Sequence, residues 1–122
     1  MIRLISATAA VLLSVLPVTA QDGIQTSRGT GAVLRGLDKV SSQMTDIELA
    51  PGEAVEYGRL TIRLGECRYP SGDPASDAFA QMVITDRNSG ITRFDGWMIA
   101  SSPALSALDD ARYDVWVLSC KT

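Results

Sequence analysis

Phe94 to Cys120, FDGWMIASSPALSALDDARYDVWVLSC, is the stretch whose reading decides the fold. It carries both tryptophans and one of the two cysteines. Two short strand-like runs flank a single helical turn. Ser102 is placed to act as N-cap, with Pro103 at the first helical position, where the missing N–H costs nothing. Leu105 and Leu108, three residues apart, give that turn one apolar face. Tyr113–Cys120 then reads as the last strand.

Upstream of this block the chain alternates short apolar runs with turn signals. Asn88-Ser89-Gly90 turns a strand over Asp77–Asp86 into one over Ile91–Ala100. Tyr69–Ser76, with two prolines and a glycine, is a loop. In Arg59–Arg68, Leu60, Ile62 and Leu64 alternate with Thr61 and Arg63, the period of a half-buried strand. Ala32–Asp38, Met44–Leu49 and Glu53–Tyr57 are further candidates, punctuated by Pro51-Gly52 and by Gly58. This spacing predicts an all-β domain, a small sandwich or partly closed barrel of about six strands, with one short helical turn near 103–108.

The N-terminus has the form of an export signal. Met1-Ile2-Arg3 is cationic, Leu4 to Leu16 is apolar, and Pro17-Val18-Thr19-Ala20 places small residues for cleavage after Ala20. The apolar run falls short of the roughly 20 residues a bilayer span needs. The expected organisation is a leader over 1–20, a flexible lead-in over 21–31 and one β domain over 32–122. The expected location is the periplasm, with no transmembrane segment once the leader is removed.

Cys67 and Cys120 are the only cysteines. In an exported chain the expectation is one disulfide, worth about 4 kcal/mol on the chain-entropy account of so long a loop. Two buried thiols are the alternative. Strand alternation constrains the pairing. In a regular strand Cys67 points away from Leu60, Ile62 and Leu64, whereas Cys120 shares a face with Trp116 and Leu118. A bulge at Gly65 would turn Cys67 over. Alternatively the last strand is buried on both faces, Val115 and Val117 being apolar too. The second solution is preferred here, and it makes the last strand central.

The chemistry of the chain is defined as much by what it lacks. With no histidine, neither a Ser-His-Asp triad nor a Cys-His pair can be built, and the usual zinc ligand sets fall short. No cofactor or metal is expected. Gly29-Thr30-Gly31 lacks the remaining features of a phosphate loop. The formal net charge is −3, and loss of Arg3 with the leader makes the chain more acidic still. The basic residues are scattered, which sets nucleic acid aside as a partner. Ser101 and Ser102 have no activating base nearby. Asp95, Asp109, Asp110 and Asp114 read as solvated turn carboxylates, although carboxylate chemistry on saccharides uses such residues. Trp97, Met98 and Trp116 are the candidate interaction residues, packing being the simpler role for tryptophan in a small domain.

The block around the tryptophans resembles domain-of-unknown-function family 2155, a family of exported bacterial proteins. The residues that carry the likeness are Gly96 to Leu108 and Tyr113 to Val117, with Leu37-Asp38-Lys39, Tyr57 to Ile62 and Cys67 upstream. It extends over about residues 32 to 120. The resemblance implies a single exported domain in bacteria with an outer membrane, and no established activity. Where the family has a histidine-proline pair, this chain has Asp110-Ala111. The function expected is therefore non-enzymatic binding of another cell-envelope component. A binder of small apolar ligands or lipid, or a carboxylate enzyme acting on envelope saccharides, are the alternatives.

Overall fold

The computed structural model describes Arg3, residues 5–16 and residues 23–122. Cleavage after Ala20 falls outside the described residues. Among the described residues no helix is long and apolar enough to cross a membrane.

Among the described residues eight strands form two antiparallel sheets. They are β1 (Thr26–Arg28), β2 (Gly31–Asp38), β3 (Met44–Leu49), β4 (Ala54–Tyr57), β5 (Leu60–Pro70), β6 (Phe79–Asp86), β7 (Thr92–Ile99) and β8 (Tyr113–Lys121). One sheet runs β1–β5–β6–β7, with β4 against the first half of β5 on the side that β1 occupies further along. The other runs β3–β2–β8. The sheets pack face to face without closing into a barrel, so the sandwich form of the expectation is the correct one. Two strands are more than the sequence spacing suggested. Part of the expected lead-in is ordered: Thr26–Arg28 pairs with Arg68–Pro70, and Gly31 opens β2. The same pairing draws Tyr69 and Pro70 out of the expected loop and into β5.

Alternation explains the core. Ala32 and Leu34 on β2, Leu60, Ile62 and Leu64 on β5, Met82 and Ile84 on β6, and Val115 and Val117 on β8 are fully enclosed between the sheets. Each large aliphatic side chain buried this way contributes about 1.5–3 kcal/mol. Phe94, Tyr57 and Tyr69 pack around the margin.

The cysteines reach each other through two bulges. On β5 the pairing with β6 slips between Leu64 and Glu66, so Gly65 is the extra residue and Cys67 returns to the core face. On β8, Leu118 is extra, because Val33 pairs with Ser119 while Leu34 pairs with Val117. That slip turns Cys120 inward, onto the face of Val115 and Val117 rather than that of Trp116. The result is a buried disulfide between the sheets, with Cα atoms 5.6 Å apart. The preferred solution to the parity problem is thereby corrected. Bulges bring the cysteines together, and β8 is not central: β2 is its one ladder partner.

The helical turn is a 3-10 turn over Pro103–Ser106. Pro103 stands at its start, but the Ser102 side chain makes no cap hydrogen bond. Ser102 contributes its carbonyl instead, which accepts the Leu105 N–H at 3.1 Å. The expected apolar face is also absent: Leu105 is 76% exposed, while Leu108 is buried. Leu108 lies beyond the turn, after Ala107 has returned the backbone to an extended conformation, so it does not share a helical face with Leu105.

Candidate functional site

The turns β2–β3, β4–β5 and β6–β7 and the approach to β8 meet at one end of the sandwich. Here the polar side chains are organised rather than solvated. Arg59, in the β4–β5 turn, donates from Nε to Asp86 Oδ2 at 3.0 Å and from its terminal nitrogen to Asp110 Oδ1. Asp110 Oδ2 accepts the backbone N–H of Arg112 at 2.9 Å and of Tyr113 at 2.8 Å. Asp86 Oδ1 accepts the N–H of Asn88 at 2.8 Å and of Ser89 at 3.2 Å, which fixes the β6–β7 turn. Lys39 donates to the Asp110 carbonyl at 3.0 Å. Arg112 is paired with Asp38 at 3.0 Å.

Tyr113 stands at the centre of this end. Tyr57 meets it edge-on, with ring centroids 5.2 Å apart. The Arg59 and Arg112 guanidinium groups lie 5.4 and 5.3 Å from its ring centroid. Glycines make the stack possible. A Cβ on Gly36 would come within 2.6 Å of the Tyr57 ring, and one on Gly58 would collide with the Tyr113 ring. Gly58 also has φ +57°, which side-chain-bearing residues adopt at a cost.

The electrostatics follow from these partners. Burial of Asp110 and Asp86 favours their neutral forms, but the backbone N–H donors and Arg59 outweigh it. Both carboxyls therefore sit below their ordinary range. The hydrogen bond from Arg112 brings Asp38 down to about 2. Burial pushes the Tyr57 hydroxyl up, with the Asp38 charge adding to it. Carboxylates with lowered pKa and committed oxygens are poor proton shuttles. The arrangement ties loops together.

The residues expected to form an interaction site are separated. Met98 is only 2% exposed and faces the core. Trp97, 39% exposed, lies on the outer face of the first sheet beside half-buried Ile99 and Phe79. Trp116 is half-buried on the outer face of the other sheet, directly opposite Arg35 on β2. Trp116 and Val115 line an apolar groove of about 370 Å³ with Pro103, Ala104, Ala107 and Asp114. Ser101 is accounted for: its N–H and hydroxyl both bind the Asp77 carboxylate, at 3.0 and 2.7 Å. Asp95 and Asp114 point from opposite outer faces, so they do not form a facing pair. Asp110 is not a solvated turn residue but a buried one.

Three sequence stretches far apart in the chain converge at this end: Leu37-Asp38-Lys39, Tyr57-Gly58-Arg59 and the run starting at Tyr113. Residues 32–120, which contain all three, match the family described as "Uncharacterized protein conserved in bacteria (DUF2155)". The chain belongs to this family. The DUF2155 domain is also similar to an uncharacterized protein of Rickettsia prowazekii (strain Madrid E), at 27% identity over 94 residues. That match covers 75% of this chain and 61% of the relative, so the chain spans about three fifths of the relative's length. No solved structure matches the chain. Arg59 and Asp86 escaped the reading of the DUF2155 sequence because charged residues at turns ordinarily signal solvent. The signal available was their recurrence at turns on one side of the strand order.

Proposed function

We propose that this DUF2155 protein is an exported, non-enzymatic domain that binds another component of the cell envelope. One observation carries the reading: Trp97 stands exposed on the outer face of a strand at the sheet edge, where packing does not require an indole. The saturated oxygens of Asp86 and Asp110 are consistent with a scaffold rather than a catalyst.

A photoreactive residue in place of Trp97, in cells expressing the protein at its native level, tests the proposal. A reproducible adduct with one envelope component is the expected result. Repeated recovery of the uncrosslinked chain alone, with the photoreactive residue at Trp97 and also at the exposed positions Val40 and Leu105, would overturn it. Export is tested separately: the mature N-terminus is expected to be Gln21. A second reading, a small apolar ligand, is favoured by the groove beside Trp116, whose volume falls at the lower end for small-molecule sites. Mass spectrometry of the gently extracted protein under native conditions would reveal such a ligand as added mass.

A further inference from the structure

Four strand edges lie at the margins of the two sheets, and three of them are protected. On one side of β5 stand β4 and β1, of four and three residues. Edge strands this short are poor templates for pairing. On β3, the N–H of Asp38 donates to the Gln43 carbonyl at 3.0 Å, which fixes the phase of the ladder. Met44, Asp46 and Glu48 therefore turn their backbone groups outward. Asp46 and Glu48 guard that edge with charge, already committed to Arg35 and Lys121. On β8, the bond from the Lys39 N–H to the Arg112 carbonyl sets the phase that turns Tyr113 and Val115 outward. Asp110 takes the first of these N–H groups. Val115 is 1% exposed, covered on the side where the 3-10 turn lies.

The β7 edge is different. Ala100 donates to the Ala78 carbonyl at 2.9 Å, just beyond the Phe79–Ile99 pair. Gly96 and Met98 therefore bond to β6, while Asp95, Trp97 and Ile99 turn their N–H and C=O groups away from the sheet. Of these, among the described residues, only the Ile99 carbonyl is taken up, by the Ser102 N–H at 3.1 Å. Asp95 and Trp97 are exposed. The strand has eight residues and no proline. Asp95 forms no ion pair among the described residues, and neither do Asp109 and Asp114 on the segment that follows. Asp95 is thus the uncommitted charge that this open edge itself presents.

We infer that the β7 edge binds an extended, cationic segment of a partner polypeptide, which adds as a further strand beside Asp95, Trp97 and Ile99. The inference rests on the binding role proposed above and names its partner chemistry. The added strand's backbone satisfies the open N–H and C=O groups. Its alternate side chains lie over Trp97 and Ile99, and a lysine or arginine among them meets Asp95.

The test titrates the purified full protein with a nine-residue alternating lysine–valine peptide, and separately with its glutamate–valine counterpart. Amide exchange is followed residue by residue. The lysine peptide is expected to slow exchange at Asp95, Trp97 and Ile99 at least tenfold and to leave Met44, Asp46 and Glu48 on β3 unchanged. The glutamate peptide should do neither, and Asp95→Lys should abolish the protection without altering the unfolding midpoint by more than a few degrees. No protection at β7, equal protection by both peptides, or protection at β3 would each overturn the inference. Crosslinkers at Trp97, Val40 and Leu105 in cells separate it from the broader reading. Adducts from Val40 or Leu105 but not from Trp97 would remove the β7 site and leave envelope binding standing. Adducts from none would remove both.

Discussion

Arg59 and Asp110, 51 residues apart in the chain, form an ion pair that ties the β4–β5 turn to the start of β8. The Asp110 side chain is almost wholly buried and Arg59 about two-thirds so. Removing the Asp110 carboxylate leaves Arg59 with Asp86 alone and orphans the backbone N–H groups of Arg112 and Tyr113. Breaking a buried pair costs about 3–5 kcal/mol. With Arg59 partly solvated, Asp110→Ala is expected to cost about 2–4 kcal/mol. Urea unfolding is the measurement, with a lower midpoint and an unchanged slope. A loss below about 1 kcal/mol would mean that the network is ornamental.

The Cys67–Cys120 bond gives a second expectation. Replacing both cysteines by alanine should lower stability by about 3–4 kcal/mol, chiefly by releasing the unfolded chain. Because Cys67 is inaccessible, mild reductant should act on the native protein only as fast as it opens. Thiol labelling after reduction in increasing urea would follow that dependence.

Stability should also depend on acid in a defined direction. Asp38, Asp86 and Asp110 have folded-state pKa values below their unfolded ones, Asp38 at about 2. Their contribution is complete above the unfolded carboxyl range, near pH 4, and is lost as pH falls through the lower folded values. Urea midpoints should be flat from about pH 7 to 5 and fall steeply between pH 4 and 2. Asp38→Asn should flatten part of that fall. A midpoint insensitive to pH below 4 would contradict the network.

Glycine positions offer an internal comparison. Gly58 and Gly72 both have positive φ, but only at Gly58 does an aromatic ring occupy the space of a Cβ. Gly72→Ala should cost about 1 kcal/mol from backbone strain alone. Gly58→Ala should cost at least about 2 kcal/mol more, because the Tyr113 ring must move. Thermal unfolding of the two variants, side by side, measures the difference.

Much of the fold was legible in the residues themselves. Leu60, Ile62 and Leu64 announced their strand by alternation, and Asn88-Ser89-Gly90 its turn, because both signals are local. The cysteine geometry was not legible. A bulge is a choice made by two strands together, and Leu118 carries no mark of being the extra residue. The edge position of β8 was equally hidden, since apolar residues on both faces of a strand suit a central place as well as a covered edge. For the site, Trp97 was visible by type, but its separation from Met98 and Trp116 depends on sheet assignment. The Arg59 network was missed for a related reason: its members lie at three turns and the approach to β8, and which connections share an end is a property of topology.

The two bulges make the disulfide a proofreading device for strand register. A chain that paired β5 with β6 without the extra residue at Gly65 would carry Cys67 to the solvent face. Pairing β8 with β2 without the slip at Leu118 would do the same to Cys120. Only the molecule with both slips in place can be oxidised to the closed form. Oxidation then seals correctly aligned copies and leaves misaligned ones with free thiols, which sorts the two chemically.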